Sequence, residues 1–423
     1  MKNIEETKKT LTKYKRLLVI NDHGIFGGGT EKRIRTLIIK FIETSFFDEV
    51  HVIQKFPTAL ENHDALPASL KNRLFVHTLG KENSFFKTLD IITKHSIDFV
   101  QCHNLAALSP LPILAAKINK KPIIFYGHDY WPICGYRSFV DSHSFTRLQL
   151  CETDHSFGRA KCLSIKAEIK YWFWKRIINI CTAGIATGKN MAVIYEKNKI
   201  LRGKWHVITP WIDPFFFQQK ETNQINKLKK RKEKLNTAIP HSILFVGSLL
   251  PFKGAFVAVQ SMKHITKRFP DTKLLLVGSE QEHDSRYRIA LENIARRDNT
   301  LTNILFLGKK KPAEIQLLHR TASAFIFPTL CMESFGQSWA EAMADRCPVI
   351  VTAISTLPEY VKNNKNGFLV PPNDPTLLAK TVITLFQNHK HTNSIAQNGA
   401  KYAKNNFSLN LIYPKIFMIY SKV

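Results

Sequence analysis

Short apolar, β-rich runs recur along this chain, and they come in two consecutive sets. The first set is Leu17–Ile20, Val50–Ile53, Leu74–His77, Phe99–Gln101, Ile123–Tyr126, Gly184–Thr187 and His206–Ile208. After Pro210-Trp211-Ile212-Asp213 the rhythm restarts with Ser242–Val246, Leu274–Val277, Ile304–Leu307, Ala324–Phe327, Val349–Val351 and Phe368–Val370. Longer helical patterns separate most of these runs. That alternation predicts parallel strands covered by helices. Two sets predict an α/β chain with two Rossmann-like domains, residues 1–212 and 213–406. Ligands bind such sheets beyond the carboxyl ends of the strands, so a cleft between two facing domains is the expected site. The tail, 407–423, carries Leu409, Leu411, Ile412, Ile416, Phe417 and Ile419 and reads as one more amphipathic helix.

The chain has 423 residues, 44% of them hydrophobic, enough for sizeable cores. No apolar run reaches the roughly 18 residues that span a bilayer. The first residues are charged, and Leu17–Ile20 is too short for a secretion signal. A cytoplasmic location is expected. Seven cysteines without a C-x-x-C pair fit reduced thiols. The formal charge of +28 attracts polyanions: phosphorylated ligands, an anionic membrane face or nucleic acid. The densest basic run, Lys227-Leu-Lys-Lys-Arg-Lys-Glu-Lys234, falls in an expected interdomain segment and reads first as a solvated face.

The most informative local pattern is Glu333-Ser-Phe-Gly-Gln-Ser-Trp-Ala-Glu341. The strand Ala324–Phe327 precedes it, and Phe335-Gly336 reads as a turn that opens a helix. Glu333 then sits in a strand-to-helix loop, and Glu341 projects one turn into the helix. Free N–H groups at a helix start favour phosphate or polarised oxygen. Two carboxylates beside such a terminus suit a ligand with hydroxyls at both ends and phosphates in the middle, which is a sugar nucleotide. A helix-capping acid with a solvated partner is the plainer reading of a lone Glu pair.

Glu333, Phe335, Gly336, Glu341 and Ala342, followed by Pro348-Val349-Ile350, resemble the E-x7-E signature of the retaining family 4 glycosyltransferases of the GT-B fold. Other segments agree. Phe245-Val-Gly247-Ser248 through Lys253-Gly254 follows a strand and enters a helix, and resembles the family's G-R-L-x3-K-G. Lys253 takes the place of its phosphate-binding lysine, while Ser248 stands where the family has Arg. Either Lys253 with the helix N-terminus suffices, or Lys309, Lys310 or Lys311 compensates. Gly247 is expected to allow close backbone approach or positive φ. Gly27-Gly28-Gly29-Thr30-Glu31 resembles G-G-[AT]-E, and its glycines would let donor phosphates reach a helix start. Tyr126-Gly-His128-Asp129-Tyr130 resembles an H-D-Y segment, with His128 matching the active-site histidine. That imidazole would hydrogen-bond the donor sugar or share a proton near neutrality. Cys102-His103-Asn104 ends another strand and is expected to line the same place.

The resemblance implies a glycosyltransferase with catalytic His128, Glu333 and Lys253. Gly28, Gly29, Gly247, Ser248, Lys253, Lys309, Glu333, Phe335, Gly336, Gln337 and Glu341 would bind the donor. Glu341 would hold the ribose and Glu333 the hydroxyls of the transferred sugar. It implies a glycan or lipid-linked acceptor, cell-surface polysaccharide or lipopolysaccharide synthesis, and a final helix crossing back to the first domain. No two Asp are separated by one residue, so the D-x-D metal clamp is missing and a metal-independent enzyme is expected. Arg346 replaces a usual glycine, and Ser355-Thr356 a usual Gly-Gly. If Arg346 needs left-handed geometry, it costs about 1–2 kcal/mol there.

Two patterns lie outside the signature. Cys134, Cys151, His155 and Cys162 could hold a structural zinc, but they lack close paired ligands, and unliganded thiols are the expectation. The segment Ile165–Ile180 combines Tyr171, Trp172, Phe173 and Trp174 with Lys166, Lys170, Lys175 and Arg176. It reads either as a helix lying in an anionic membrane interface, at the inner face of the cell membrane, or as a helix buried on one face. The alternatives to a transferase are a GT-B-fold sugar-nucleotide epimerase and a catalytically silent sugar-nucleotide-binding protein. No zinc-finger, RNP or helix-turn-helix signature supports a nucleic-acid partner, and none is expected.

Overall fold

The computed structural model describes residues 14–25, 28–56, 70, 72–133, 165–218, 241–279 and 285–423. They form two compact units. One ends at Trp211 and takes in Leu409–Val423, and the other is Ile212–Ser408. Each unit is a parallel sheet with helices between its strands, so the expected α/β, two-Rossmann architecture is present.

The first sheet comprises β1 (Arg16–Ile20), β2 (Glu49–Gln54), β3 (Leu74–Thr78), β4 (Phe99–Cys102), β5 (Ile123–Gly127), β6 (Ala183–Ala186) and β7 (Trp205–Val207). Their order is β3-β2-β1-β4-β5-β6-β7. Leu17, Leu18, Val19 and Ile20 of β1 are all buried, because a central parallel strand is covered on both faces. The helix Gly29–Glu43 turns Ile34, Leu37, Ile38, Phe41 and Ile42 inward, a stripe at helical spacing. The helix Leu409–Lys422 packs on this stripe: the Phe41 ring lies 5.2 Å from Tyr420, and Phe46 lies 4.6 Å from Phe417. Its inward stripe is Leu409, Ile412, Tyr413, Ile416, Phe417, Ile419 and Tyr420. Leu411, expected among the apolar contacts, falls off that stripe and is 52% exposed.

The second sheet comprises β8 (Ser242–Val246), β9 (Lys273–Val277), β10 (Ile304–Gly308), β11 (Ala324–Phe327), β12 (Val349–Thr352) and β13 (Phe368–Val370). The order is β10-β9-β8-β11-β12-β13. The helix Gln337–Ala344 is seated by Trp339, whose ring lies 5.2 Å from Phe335 and 5.6 Å from Phe407. The helix ends at Arg346 with φ +61. The Arg346 N–H donates to the Met343 carbonyl at 3.1 Å, and the Cys347 N–H to that of Ala342 at 3.0 Å. That is a helix stop of the kind glycine normally supplies. Ser355 is also left-handed, at φ +54. Both departures from the family pattern therefore place a side chain where glycine is conformationally free.

Candidate functional site

In both sheets the strand order reverses beside the first strand, between β1 and β4 and between β8 and β11. Such switch points are where doubly wound sheets bind ligands. The chemistry-bearing residues cluster at the carboxyl side of each.

In the second unit, β8 runs into the short 3-10 turn Pro251–Lys253, then Gly254, then the helix Ala255–Ile265. Gly254 has φ +78, and a Cβ there would lie 1.8 Å from the Pro328 carbonyl oxygen. Glycine therefore lets this loop press against the end of β11. Across that contact the Lys253 ammonium donates to Glu333 Oε1. The same oxygen accepts the Thr329 hydroxyl at 3.3 Å and the Cys331 thiol at 3.3 Å. Burial works against the Lys253 charge, but the Glu333 carboxylate outweighs it and holds the ammonium above its usual range. Burial, reinforced by Glu333, pushes the Cys331 thiol up to about 12, so it stays protonated as a donor.

Glu333 is 9% exposed and Glu341 7%. The loop joining them is rigidly built. The Thr356 hydroxyl donates to the Glu333 carbonyl at 3.2 Å and to that of Ser334 at 2.9 Å. The Trp339 indole donates to the Phe335 carbonyl at 2.6 Å. Gly336 has φ +74, and a Cβ there would stand 2.6 Å from the Phe327 ring. Gly336 is the N-cap of the helix Gln337–Ala344, and no side chain caps that start. Among the described residues, the N–H groups of Phe335, Gly336 and Gln337 take no backbone partner. A cation, an inward carboxylate and an open helix start therefore stand within one unit. The set can grip phosphate and hydroxyl groups together.

Other expected donor residues fall differently. Gly247 has no positive φ, and a Cβ there would meet the Phe245 ring at an ordinary 3.5 Å, so no contact within the protein requires glycine. The close approach is at Gly278, where a Cβ would lie 1.8 Å from the Gly247 carbonyl oxygen. Ser248 is exposed, its carbonyl accepting from the Leu250 N–H at 2.8 Å. Lys309 is exposed beyond β10, two strands from β8 and so roughly 10 Å away by strand spacing. Lys310 is held locally by Glu314 at 3.4 Å, and Lys311 opens the helix Pro312–Thr321.

In the first unit, Gly28 precedes the helix Gly29–Glu43 with an ordinary φ of −75. A Cβ on Gly28 would meet the Glu31 carboxylate at 3.3 Å. Glu31 in turn accepts from the Asn21 amide at 3.3 Å. His128, at the end of β5, joins a buried chain. Arg33 Nη2 lies 3.3 Å from His128 Nδ1, and His128 Nε2 lies 2.6 Å from His103 Nδ1. His103 then meets Gln101, which meets the Tyr420 hydroxyl. Arginine only donates, so His128 accepts at Nδ1 and carries its proton on Nε2. His103 accepts that proton at Nδ1, its Nε2 faces the Gln101 carboxamide, and Gln101 Oε1 accepts from the Tyr420 hydroxyl. Burial, with Arg33 and His103 adding to it, pushes the His128 pKa well down. Burial and Arg33 push His103 down to about 3. In this arrangement burial favours the neutral form of both rings, and both His128 nitrogens have partners within the unit. His103 does line the same cavity, with Arg33, Tyr126, His128, Thr187 and Trp211.

Sequence reading missed Arg33, Gln101, Thr329 and Thr356. Arg33 had a signal, since it falls at i−4 and i−8 from Leu37 and Phe41 on the helix's buried stripe, where a cation is anomalous. Thr356 meets the Glu333 carbonyl across 23 residues, and Gln101 meets Tyr420 across 319, so neither pairing shows in a local pattern. Cys134, Cys151, His155 and Cys162, expected to stand unliganded rather than to hold zinc, lie outside the described residues, as does the run Lys227–Lys234. The aromatic helix is buried on one side and exposed on another. In Ile165–Ile178, Tyr171 and Trp174 are buried, while Ile169, Trp172 and Phe173 are 63%, 58% and 47% exposed. Among the described residues no helix is long and apolar enough to cross a membrane.

Comparison with known proteins agrees with this geometry. Residues 226–402 match the family of glycosyl transferases group 1. D-inositol 3-phosphate glycosyltransferase of Corynebacterium efficiens is 29% identical over 181 residues, 43% of this chain and 42% of that protein. The capsular polysaccharide biosynthesis glycosyltransferase CapM of Staphylococcus aureus is 28% identical over 200 residues, 46% of this chain and 50% of that protein. The chain thus spans about half or less of the length of these curated relatives. Anabaena Alr3699/HepE, solved in complex with UDP-glucose, superposes with a TM-score of 0.75. The superposition covers 96% of this chain and 100% of that one at 17% identity, and it shows the shared fold.

Proposed function

We propose, from the premise that the C-terminal unit is a group 1 glycosyl transferase domain, that this chain is a retaining glycosyltransferase. It moves a sugar from a nucleotide-sugar donor to a glycan or lipid-linked acceptor. One observation carries the reading: Lys253 and Glu333, from loops after different strands, meet at a switch point beside an open helix start. The activities named for the curated relatives support it, as does the UDP-glucose bound by a protein of the same fold.

The donor diphosphate takes Lys253 and the N–H groups of Phe335, Gly336 and Gln337. Glu333, released from the ammonium, accepts hydroxyls of the transferred sugar, and Glu341 accepts from the ribose. As the bond from the anomeric carbon to the diphosphate breaks, charge grows on the departing oxygen. Lys253, once it exchanges Glu333 for the diphosphate, and the helix start stabilise that charge. The acceptor hydroxyl attacks from the face the diphosphate leaves, and its proton passes to that phosphate. The basic charge and the exposed Trp172 and Phe173, with Arg176 4.9 Å over Trp172, suit an acceptor carried at the inner face of an anionic membrane, in polysaccharide or lipopolysaccharide assembly.

Transfer assays with UDP-, GDP-, ADP- and CMP-sugars, with a lipid-linked glycan extract as acceptor, test this. One donor should be consumed with the anomeric configuration kept, and Glu341→Ala should abolish transfer. Wild-type turnover in Glu341→Ala would overturn the assignment of that residue. Donor conversion without any acceptor would replace the transferase by an epimerase.

A further inference from the structure

The first unit holds a second constellation, on the far edge of its sheet. His51 on β2, His77 on β3 and His95, just past the helix Ser84–Lys94, present one ring nitrogen each within 4.8 Å of one another. Their spacings in sequence match no metal motif, so sequence reading passed over them. The geometry points to a divalent transition-metal site, taking zinc first, that clasps β2, β3 and the end of the helix Ser84–Lys94.

Three observations carry it. His51 Nδ1 stands 3.1 Å from His77 Nε2. Two nitrogens on one tetrahedral zinc stand about 3.3 Å apart, given bonds of roughly 2.0–2.1 Å, so this pair is already at ligand spacing. The His51 ring is fixed by stacking on Phe75 at 4.9 Å, and His95 closes over it at 4.4 Å. A mutual hydrogen bond accounts for His51 and His77 but leaves His95 without a role. Finally, His51 Nε2 is buried without a hydrogen-bond partner, yet lies 3.8 Å from Glu49 Oε2. Metal on Nδ1 would draw the Nε2 proton toward that carboxylate, the arrangement in which a second carboxylate orients a ligating histidine. Imidazole ligands must be neutral. Burial, with His95 and His77 adding to it, pushes His51 down to about 4, and burial lowers His77 as well. An all-imidazole set suits zinc, copper, nickel or cobalt rather than magnesium or calcium.

The test uses tag-free full-length protein, stripped with chelator and titrated with zinc chloride by calorimetry and thermal melting. One zinc per chain should bind and raise the melting temperature. His77→Gln and His95→Gln, both at half-buried positions, should each weaken binding by at least about tenfold, with melting in chelator unchanged. A cobalt-loaded sample should show a tetrahedral visible spectrum without thiolate charge transfer. No stoichiometric zinc binding would overturn the site and leave a histidine hydrogen bond only. Zinc binding untouched by both variants, or a thiolate charge-transfer band, would overturn it in favour of the cysteines between residues 134 and 162.

Discussion

The two units share a strand order and a switch point, yet they fill that point with opposite chemistry. In Ile212–Ser408 it holds an ion pair, Lys253 with Glu333, beside unpartnered helix amides. In the first unit it holds a hydrogen-bonded relay, Arg33–His128–His103–Gln101–Tyr420, in which one guanidinium ends on neutral side chains. An ion pair next to open donors can exchange its partner for a charged ligand. A closed relay resists exchange and holds strand ends in place. A shared topology therefore fixes where chemistry can sit but leaves its kind to a few side chains.

The comparison predicts that mutations in the two places separate by readout. Of the variants at the two switch points, Lys253→Ala should act most strongly: transfer should fall by roughly 10²–10³ while the first unit is untouched. His103→Leu should instead act on stability, costing about 1–3 kcal/mol in urea unfolding by orphaning its neighbours. If Lys253→Ala unfolds the protein and His103→Leu kills turnover without loss of stability, the contrast is reversed.

Gly336→Ala comes next. Its Cβ would run into the Phe327 ring at a φ only glycine tolerates, so a cost of about 1–3 kcal/mol is expected. Donor affinity should fall with it, which donor titration and melting read together.

Acid sharpens the contrast further. The His103 pKa is lowered on folding, so the unfolded chain binds the proton more tightly, and stability is full above the unfolded value near 6.5. It is lost as pH falls toward about 3. Between pH 7 and 5 this histidine alone should remove about 2 kcal/mol. Urea unfolding at both pH values checks this, and the slope should shrink in His103→Leu. The smallest effect is a gain. Arg346 is exposed and left-handed, so Arg346→Gly should stabilise by about 1 kcal/mol with turnover unchanged.

What could be read in the sequence follows the range of the interactions. All thirteen strand runs were legible, because each is a short local run of β-rich apolar residues, whether buried like β1 or at an edge like β3 and β7. The loop and helix around Glu333 and Glu341 were legible too, since a turn glycine and helix formers lie within nine residues. Arg346 and Ser355 could be marked as glycine substitutes, and their φ values of +61 and +54 agree. The relay was hidden, because His128 meets His103 across 25 residues and Gln101 meets Tyr420 across 319. The need for glycine inside the protein was hidden for a similar reason. The tight contact is between the ends of β8 and β9, and the residue that cannot carry a Cβ is Gly278.

Hydrogen exchange of the full chain with and without a saturating nucleotide sugar tests the central claim most directly. Slowed exchange is expected at the amides of Phe335, Gly336 and Gln337 and around Lys253, and it should vanish in Lys253→Ala. Binding that protects other segments and leaves these amides exchanging at their free rate would contradict the account.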